Sequence, residues 1–314
     1  MHNVHQMNIH SSMTVGQLVQ EMKQAGVLGA GRIARAVSIM LEMAQNPAYT
    51  VFFTMAGPMV PGGLRNIIRL LIEQKIINVI ITSGANVVHD IIESLGYPGR
   101  KASLSLDDYS LRAQGIGRAG DILFGQEGFE ALEHAMRRIL TSISGSGLTR
   151  ISPSNLLFKL GDFLTDDTSI LHTAMRHEVP IFVPGILDSM IGFHLWMHDQ
   201  MTPLELDPIS DLHRLSDLVY NADKVGAIIL GGGLPKHHAL GVNILRDGLD
   251  AAIQVTMDRP ETGSFSGAPL SEAISWKKIQ PTKNVADVIG DATVLFPVIV
   301  AAVIEQLETP KTND

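Results

Sequence analysis

The sequence predicts an α/β fold: a mostly parallel sheet with helices on both faces, in a single domain over residues 1–314. Three observations carry this expectation. Short apolar runs that end in Gly, Pro or Ser alternate with helix-patterned segments. The apolar runs are near-continuous, as in strands buried on both faces. Hydrophobic residues make up 45% of the 314 residues and charged ones 18%, which is ample for a core and too apolar for a disordered chain.

The elements follow in order. Val15, Leu18, Val19 and Met22 recur at helical spacing, and Ile33, Val37, Met40 and Leu41 do so after a glycine break, so 14–45 reads as helical. Residues 50–55 (TVFFTM) form a buried strand entering a turn at Gly57-Pro58. Residues 64–73 are helical; 79–82 (VIIT) is a strand ending in Ser83-Gly84, with a helix following through Leu95. Residues 181–183 and 227–230 are further strands, and 251–255 and 292–295 complete the set. The 99–168 segment is more polar and turn-rich, and is expected as an insertion or peripheral cover. Residues 1–13 and 309–314 are expected to be flexible ends. In such sheets ligands sit beyond the carboxyl ends of the strands, so the turns after Thr82, Val183 and Leu230 are expected to face one crevice.

Composition excludes several classes. A net charge of −8 argues against nucleic acid, which needs a basic face, and suits cationic ligands. With no cysteine, disulfides, thiolate zinc sites and cysteine nucleophiles are excluded. The start, Met1-His2-Asn3-Val4-His5, lacks a charged region followed by an apolar run. The longest apolar stretch, 294–304, contains Pro297 and falls short of the ~18 residues of a membrane span. No membrane association is expected, and the cytoplasm is the expected compartment. Gly29-Ala30-Gly31-Arg32-Ile33-Ala34 fits a GxGxxA dinucleotide pattern, but the preceding segment is helix-patterned and 48–54 supply no acidic residue. It reads as a plain helix–turn–helix.

Chemistry concentrates in the last third. Ser275-Trp276-Lys277-Lys278-Ile279 places a lysine two residues after a tryptophan. Lysine is nucleophilic only when neutral, and its ordinary pKa is near ~10.4. An apolar wall such as Trp276, or a second cation such as Lys277, would lower it. On a strand, Trp276 and Lys278 would share a face and Lys277 would point away. The plain alternative is a pair of solvated lysines. Gly231-Gly232-Gly233-Leu234-Pro235-Lys236-His237-His238 is a glycine turn opening onto a lysine and two histidines. Adjacent histidines without a nearby acid do not suit a metal. A histidine at a strand mouth can act as general acid or base, or simply occupy a helix N-terminus. The loop 262–268 (TGSFSGA) could wrap a cofactor with backbone amides, or be an ordinary connection. Beyond it, Glu272 and Trp276 offer the carboxylate and indole face that a polyamine cation requires. Asp188 and Asp291 flank strand candidates, where an acid can accept from a ribose hydroxyl or serve as a cap.

In order and spacing these runs resemble the deoxyhypusine synthase family. The resemblance is strongest over 226–302: the GGGxxKHH turn, Asn243, Arg246-Asp247-Gly248, the GSxSGA loop, Glu272, SWxKI, and Asp291-Ala292 ahead of Phe296-Pro297. It extends more weakly through Pro184-Gly185-Ile186-Leu187-Asp188, Thr82-Ser83-Gly84-Ala85-Asn86 and Gly63-Leu64-Arg65, and so covers most of the chain. The resemblance implies a Rossmann-like domain assembled as a homotetramer with active sites at a dimer interface. It implies NAD as cofactor and transfer of the 4-aminobutyl group of spermidine, held as an imine on a lysine, to a lysine of the translation initiation factor 5A homologue. By position, Lys278 corresponds to the imine lysine and His237 to the histidine of amine dehydrogenation. Trp276 and Glu272 correspond to the polyamine pocket, with His89 a further substrate-side position. Ser83, Gly84, Asp188, Gly231, Gly232, Gly233, Gly263, Ser266, Asp291 and Ala292 correspond to positions around NAD, and no metal is implied. The eukaryotic pattern has aspartates at the positions of Phe265 and Phe193 and a glutamate pair at Val88-His89, so the chain resembles the shorter archaeal and bacterial branch. Two other readings stand beside this one: a homospermidine synthase-like transferase with a small amine acceptor, and a catalytically silent binder of NAD or a partner, against which the presence of both Lys278 and His237 speaks.

Overall fold

A computed structural model describes residues 3–102 and 107–309. The chain divides into two compact units, one of Met1–Met55, Lys75–Asn78 and Leu215–Asp314, the other of Ala56–Gln74 and Val79–Arg214. Among the described residues six strands carry the main parallel pairing of the α/β fold, β1 (Tyr49–Met55), β2 (Val79–Thr82), β3 (Ile181–Phe182), β4 (Lys224–Leu230), β5 (Ala251–Thr256) and β6 (Val285–Ile289), and Arg150–Ile151 with Glu205–Leu206 forms a further short parallel pair.

In the first unit the strand order is β6-β5-β4-β1, every pairing parallel. Met55 sits opposite Leu230, Leu230 opposite Val255 and Thr256 opposite Ile289, so the carboxyl ends form one edge. All of β5, and β4 from Val225 onward, are buried, as a parallel sheet covered on both faces requires. Helix Leu28–Gln45 packs on β5, β6 and helix Ala292–Glu308, and helix Gly233–Val242 packs on β1.

The helical reading of 14–45 resolves into helices Val15–Ala25 and Leu28–Gln45. Thr14 opens the first with a capping box, Thr14 Oγ1 accepting from Gln17 N and Thr14 N donating to Gln17 Oε1. The break falls at Gly26, in the left-handed region at φ 68°. The GxGxxA run lies inside the second helix. Its Gly31 is needed for packing, since a Cβ there would stand 2.6 Å from the Gly26 carbonyl carbon.

One expected strand is a helix. Residues 292–295 begin helix Ala292–Glu308, and the last strand is β6 upstream. Asp291 decides this, because its Oδ1 accepts from Thr293 N at 2.8 Å and caps the helix. A short apolar run alone does not separate strand from helix.

In the second unit β2 and β3 pair in parallel. The 99–168 segment is more than cover. It contributes a three-stranded antiparallel sheet of Arg100–Lys101, Ile122–Gly125 and Ile116–Ala119. It also supplies helices Gln126–Gly145 and Pro153–Phe163, which bury Leu132, Met136, Leu140, Leu156, Leu157 and Leu160. A buried ion pair ties this unit together. Arg65 Nε donates to Asp90 Oδ1 at 2.6 Å, and Asp90 also accepts from Ser169 Oγ, Ile170 N and Leu171 N.

Of the expected flexible ends, residues 1, 2 and 310–314 lie outside the described residues. Asn8 N donates to Glu21 Oε2 at 2.7 Å, which ties the N-terminal segment to the first helix. Among the described residues no helix is long and apolar enough to cross a membrane.

Candidate active site

The site in the first unit is built from the turn after β4 and the long connection between β5 and β6. Gly231 leaves β4 with φ 70° and donates its N–H to Val255 O at 2.8 Å. The chain then turns directly into helix Gly233–Val242, which aims Lys236 and His237 toward the connection. A cavity of about 330 Å³ lies there, lined among others by His237, Phe265, Glu272, Trp276 and Lys278.

Lys278 Nζ lies 5.5 Å from the Phe265 ring centroid and 5.6 Å from that of Trp276, so its cation faces two aromatic surfaces. The His237 ring packs on Phe265 at 5.0 Å. Glu272 and Trp276 stand one helical turn apart, at the start and just past the end of helix Glu272–Ser275, and both border the cavity. Four of the residues singled out in the sequence therefore converge: Lys278, His237, Trp276 and Glu272.

Lys277 goes elsewhere. The Trp276–Lys278 run is a turn rather than a strand, and Lys277 adopts φ 55°. Its Nζ faces Asp247 Oδ1 at 3.8 Å. Lys278 O accepts from Leu249 N at 3.0 Å, and Ile279 bridges to Leu249. The lysine is thus anchored just ahead of the amino end of β5.

The glycine run and the 262–268 loop are held by a buried clasp that sequence reasoning missed. Lys236, 1% exposed, donates from Nζ to Gln254 Oε1 at 2.9 Å, Phe265 O at 3.0 Å and Ala268 O at 2.7 Å. Burial pushes its pKa down to about 8, against the opposing pull of the Asp287 and Glu272 carboxylates. Gln254 Nε2 donates to Gly231 O at 2.9 Å and Ser266 O at 2.7 Å. Ser266 Oγ accepts from Gly233 N at 2.9 Å. Gly232 lets the two loops meet, for a Cβ there would lie 2.4 Å from Ser266 Cα. A signal existed: Gln254 is the lone polar residue in the run Ala251-Ala252-Ile253-Gln254-Val255.

The other expected residues fall into two groups. In the first unit, Gly233 and Gly263 have φ 57° and 66° and nothing within 4 Å of where a Cβ would stand, leaving the backbone open to approach. Asp291 is exposed and caps with Oδ1, and Ala292 opens the helix behind it. Gly290 N donates to Thr256 O at 2.8 Å, so this turn and Gly231 lie on the same carboxyl edge. In the second unit, Gly84 begins helix Gly84–Ser94, and a Cβ there would stand 2.4 Å from Ser189 Cβ. The Ser83-Gly84 turn therefore meets the turn that carries the exposed Asp188. Asn86 Nδ2 donates to Ser83 Oγ at 3.3 Å and to Gly57 O at 3.0 Å. His89, in the same helix, packs on the Phe124 ring at 4.4 Å, and burial lowers its pKa. Phe193 is 58% exposed on helix Met190–Asp199.

Fold and site together define an α/β protein with an aromatic-walled lysine pocket beside glycine turns at the edge of a parallel sheet. The family profile of deoxyhypusine synthase matches residues 17–303. The chain belongs to the deoxyhypusine synthase family, a family of transferases. It is 48% identical over 305 residues to a probable deoxyhypusine synthase of Methanothermobacter thermautotrophicus, covering 97% of this chain and 99% of that one. A probable deoxyhypusine synthase of Methanopyrus kandleri is 44% identical, covering 94% of this chain and 95% of that one. Among solved structures, one assigned to deoxyhypusine synthase from Entamoeba histolytica shares the fold, with a TM-score of 0.68 at 20% identity and 94% of each chain covered.

Proposed function

We propose that this protein transfers the 4-aminobutyl group of spermidine, through an imine on Lys278, to a lysine of the translation initiation factor 5A homologue, using NAD. The observation that carries this reading is the position of Lys278 Nζ, 5.5 and 5.6 Å from two aromatic centroids in a cavity bordered by His237 and Glu272.

Each group has a task in this reading. The Phe265 and Trp276 rings flank the Lys278 amine, the nucleophile of this reading. The same faces and the Glu272 carboxylate attract the ammonium groups of a polyamine. His237 takes the proton released as the substrate amine is oxidised. An imine on Lys278 replaces one difficult displacement by two exchanges at a carbonyl-like carbon.

The residues present fit NAD. Gly233 and Gly263 offer open backbone. Asp291 Oδ2 makes none of the described hydrogen bonds, which supports a role as acceptor for a ribose hydroxyl, and the N-terminus of helix Ala292–Glu308 beside it suits a pyrophosphate. Gly231, Gly232 and Ser266 shape this edge from behind, and Ser83, Gly84 and Asp188 are cofactor positions by correspondence to the family alone. When bound, the nicotinamide supplies the hydride acceptor. We assign a homotetramer with active sites at a dimer interface, and the cytoplasm, as part of the same reading.

The test is borohydride trapping. Protein incubated with NAD and spermidine is reduced, digested and searched by mass spectrometry for an aminobutyl adduct. The adduct is expected on Lys278 and absent from Lys278→Ala. Release of 1,3-diaminopropane together with consumption of the factor 5A homologue, rather than of putrescine, identifies the acceptor. No adduct from protein that binds NAD would overturn the proposed donor.

A further inference from the structure

The buried Lys236 cluster is not accounted for by the chemistry above. Its ammonium makes three hydrogen bonds, to Gln254 Oε1, Phe265 O and Ala268 O, so every N–H it owns is used. Two of those acceptors bracket Ser266, which is itself held by Gln254 Nε2 and by Gly233 N. The Phe265 ring stands between two lysines, 5.0 Å from Lys236 Nζ and 5.5 Å from Lys278 Nζ, and 5.0 Å from the His237 ring. The position of Phe265 thus depends on a cation that is almost wholly shielded from solvent.

We propose that Lys236 is a positioning residue: with Gln254 it clasps the 262–268 loop to the Gly231-Gly232-Gly233 turn and so holds the Phe265 ring against His237 and Lys278. This rests on the reading of the Lys278 pocket for its consequence, but the clasp itself is tested independently of it.

The clasp needs the ammonium form. A neutral amine has two N–H groups and a lone pair, so one of the three acceptors would face a lone pair instead of a donor. Burial has already drawn the Lys236 pKa down to about 8, so the clasp loosens within an accessible pH range. The charged and titratable groups around it are Asp287 on β6, Glu272 on the short helix, His237 and His238 on its own helix, and Lys278 beyond the Phe265 ring. Arg32, on helix Leu28–Gln45, faces Asp287. All of these remain when Lys236 alone is replaced.

The experiment is hydrogen exchange by mass spectrometry on the 262–268 loop at pH 7.0 and 9.0, corrected for intrinsic exchange. It compares the wild type with Lys236→Met, which keeps the length and apolar stem, and with Gln254→Leu. At pH 7.0 both variants are expected to exchange this loop on the order of tenfold faster than the wild type, as the loss of buried hydrogen bonds implies. Between pH 7.0 and 9.0 the wild-type loop loses protection, while Lys236→Met stays flat. In the trapping assay the Lys278 adduct falls in Lys236→Met through its rate, with half-saturating spermidine little changed. Unaltered loop protection in both variants overturns the proposal, and so does a wild-type loop indifferent to pH. If no protein, wild type included, forms an adduct, the donor assignment fails while the exchange result still decides the clasp. Should Lys236→Met not fold, Gln254→Leu carries the same comparison at pH 7.0.

Discussion

Replacing Gly232 by alanine tests how closely the two loops of the site are interlocked. The added Cβ would lie 2.4 Å from Ser266 Cα and 2.7 Å from its Cβ and Oγ. Carbon atoms pack at about 3.5–4.0 Å, so the 262–268 loop must withdraw by roughly 1 Å. Withdrawal stretches the 2.7 Å bond from Gln254 Nε2 to Ser266 O and the 2.9 Å bond from Gly233 N to Ser266 Oγ. Two partly buried hydrogen bonds lost at about 1–2 kcal/mol each give a destabilisation of roughly 2–4 kcal/mol. That is a large part of the ~5–15 kcal/mol that holds a typical protein folded. The loop cannot easily swing clear, because Lys236 grips the carbonyls of Phe265 and Ala268 on either side.

Urea unfolding followed by far-ultraviolet circular dichroism measures this, with Gly233→Ala as the comparison. Gly233 has φ 57° and nothing within 4 Å of a Cβ, so alanine there meets only left-handed strain of about 1–2 kcal/mol. The expected order of stability is wild type, then Gly233→Ala, then Gly232→Ala. If Gly232→Ala is no less stable than Gly233→Ala, the loops are not in the contact described and the reasoning fails.

Two further outcomes follow from buried groups in the second unit. Asp90→Ala leaves Arg65 buried without its main partner and removes acceptors from Ile170 N and Leu171 N at the start of helix Ile170–Arg176. Breaking a buried pair costs about 3–5 kcal/mol. Since Arg65 keeps Asp166 at 2.9 Å, the lower end is expected in the same unfolding assay, and a loss under about 1 kcal/mol would refute the keystone role. His194 is buried, its Nε2 has no hydrogen-bond partner, and burial lowers its pKa, with Glu133 opposing and Arg137 adding. The unfolded chain takes up a proton below about pH 6.5 while the folded protein resists it. Stability is therefore full above that pH and falls below it, by at most about 1.4 kcal/mol per pH unit from this group. His194→Phe should show a shallower fall between pH 7 and 5, and an unchanged slope would refute the assignment.

Much of the fold was legible because parallel strands buried on both faces write themselves as uninterrupted apolar runs: 79–82 matches β2, and 227–230 and 251–255 lie within β4 and β5. What the sequence misdirected was 292–295, where apolar character is shared by strand and helix and the decision lay in one acid, Asp291, capping the helix. At the site, residues with distinctive chemistry stood out. Lys278, His237, Trp276 and Glu272 are recognisable singly, and their convergence at one cavity follows from how the β5–β6 connection folds back. The supporting residues were illegible for a physical reason. Lys236 looks like one more cation, and Gln254 like a polar interruption in a strand, until the fold brings their donors and acceptors together from sequence positions far apart. A buried cation with all its N–H groups satisfied is costly to assemble and gains nothing over an apolar contact unless it fixes a geometry. Here the geometry it fixes is that of Phe265, the ring shared by both lysines and His237. The side chains that border the cavity can therefore be picked out by residue type, whereas their placement depends on buried hydrogen bonds that residue type alone does not reveal.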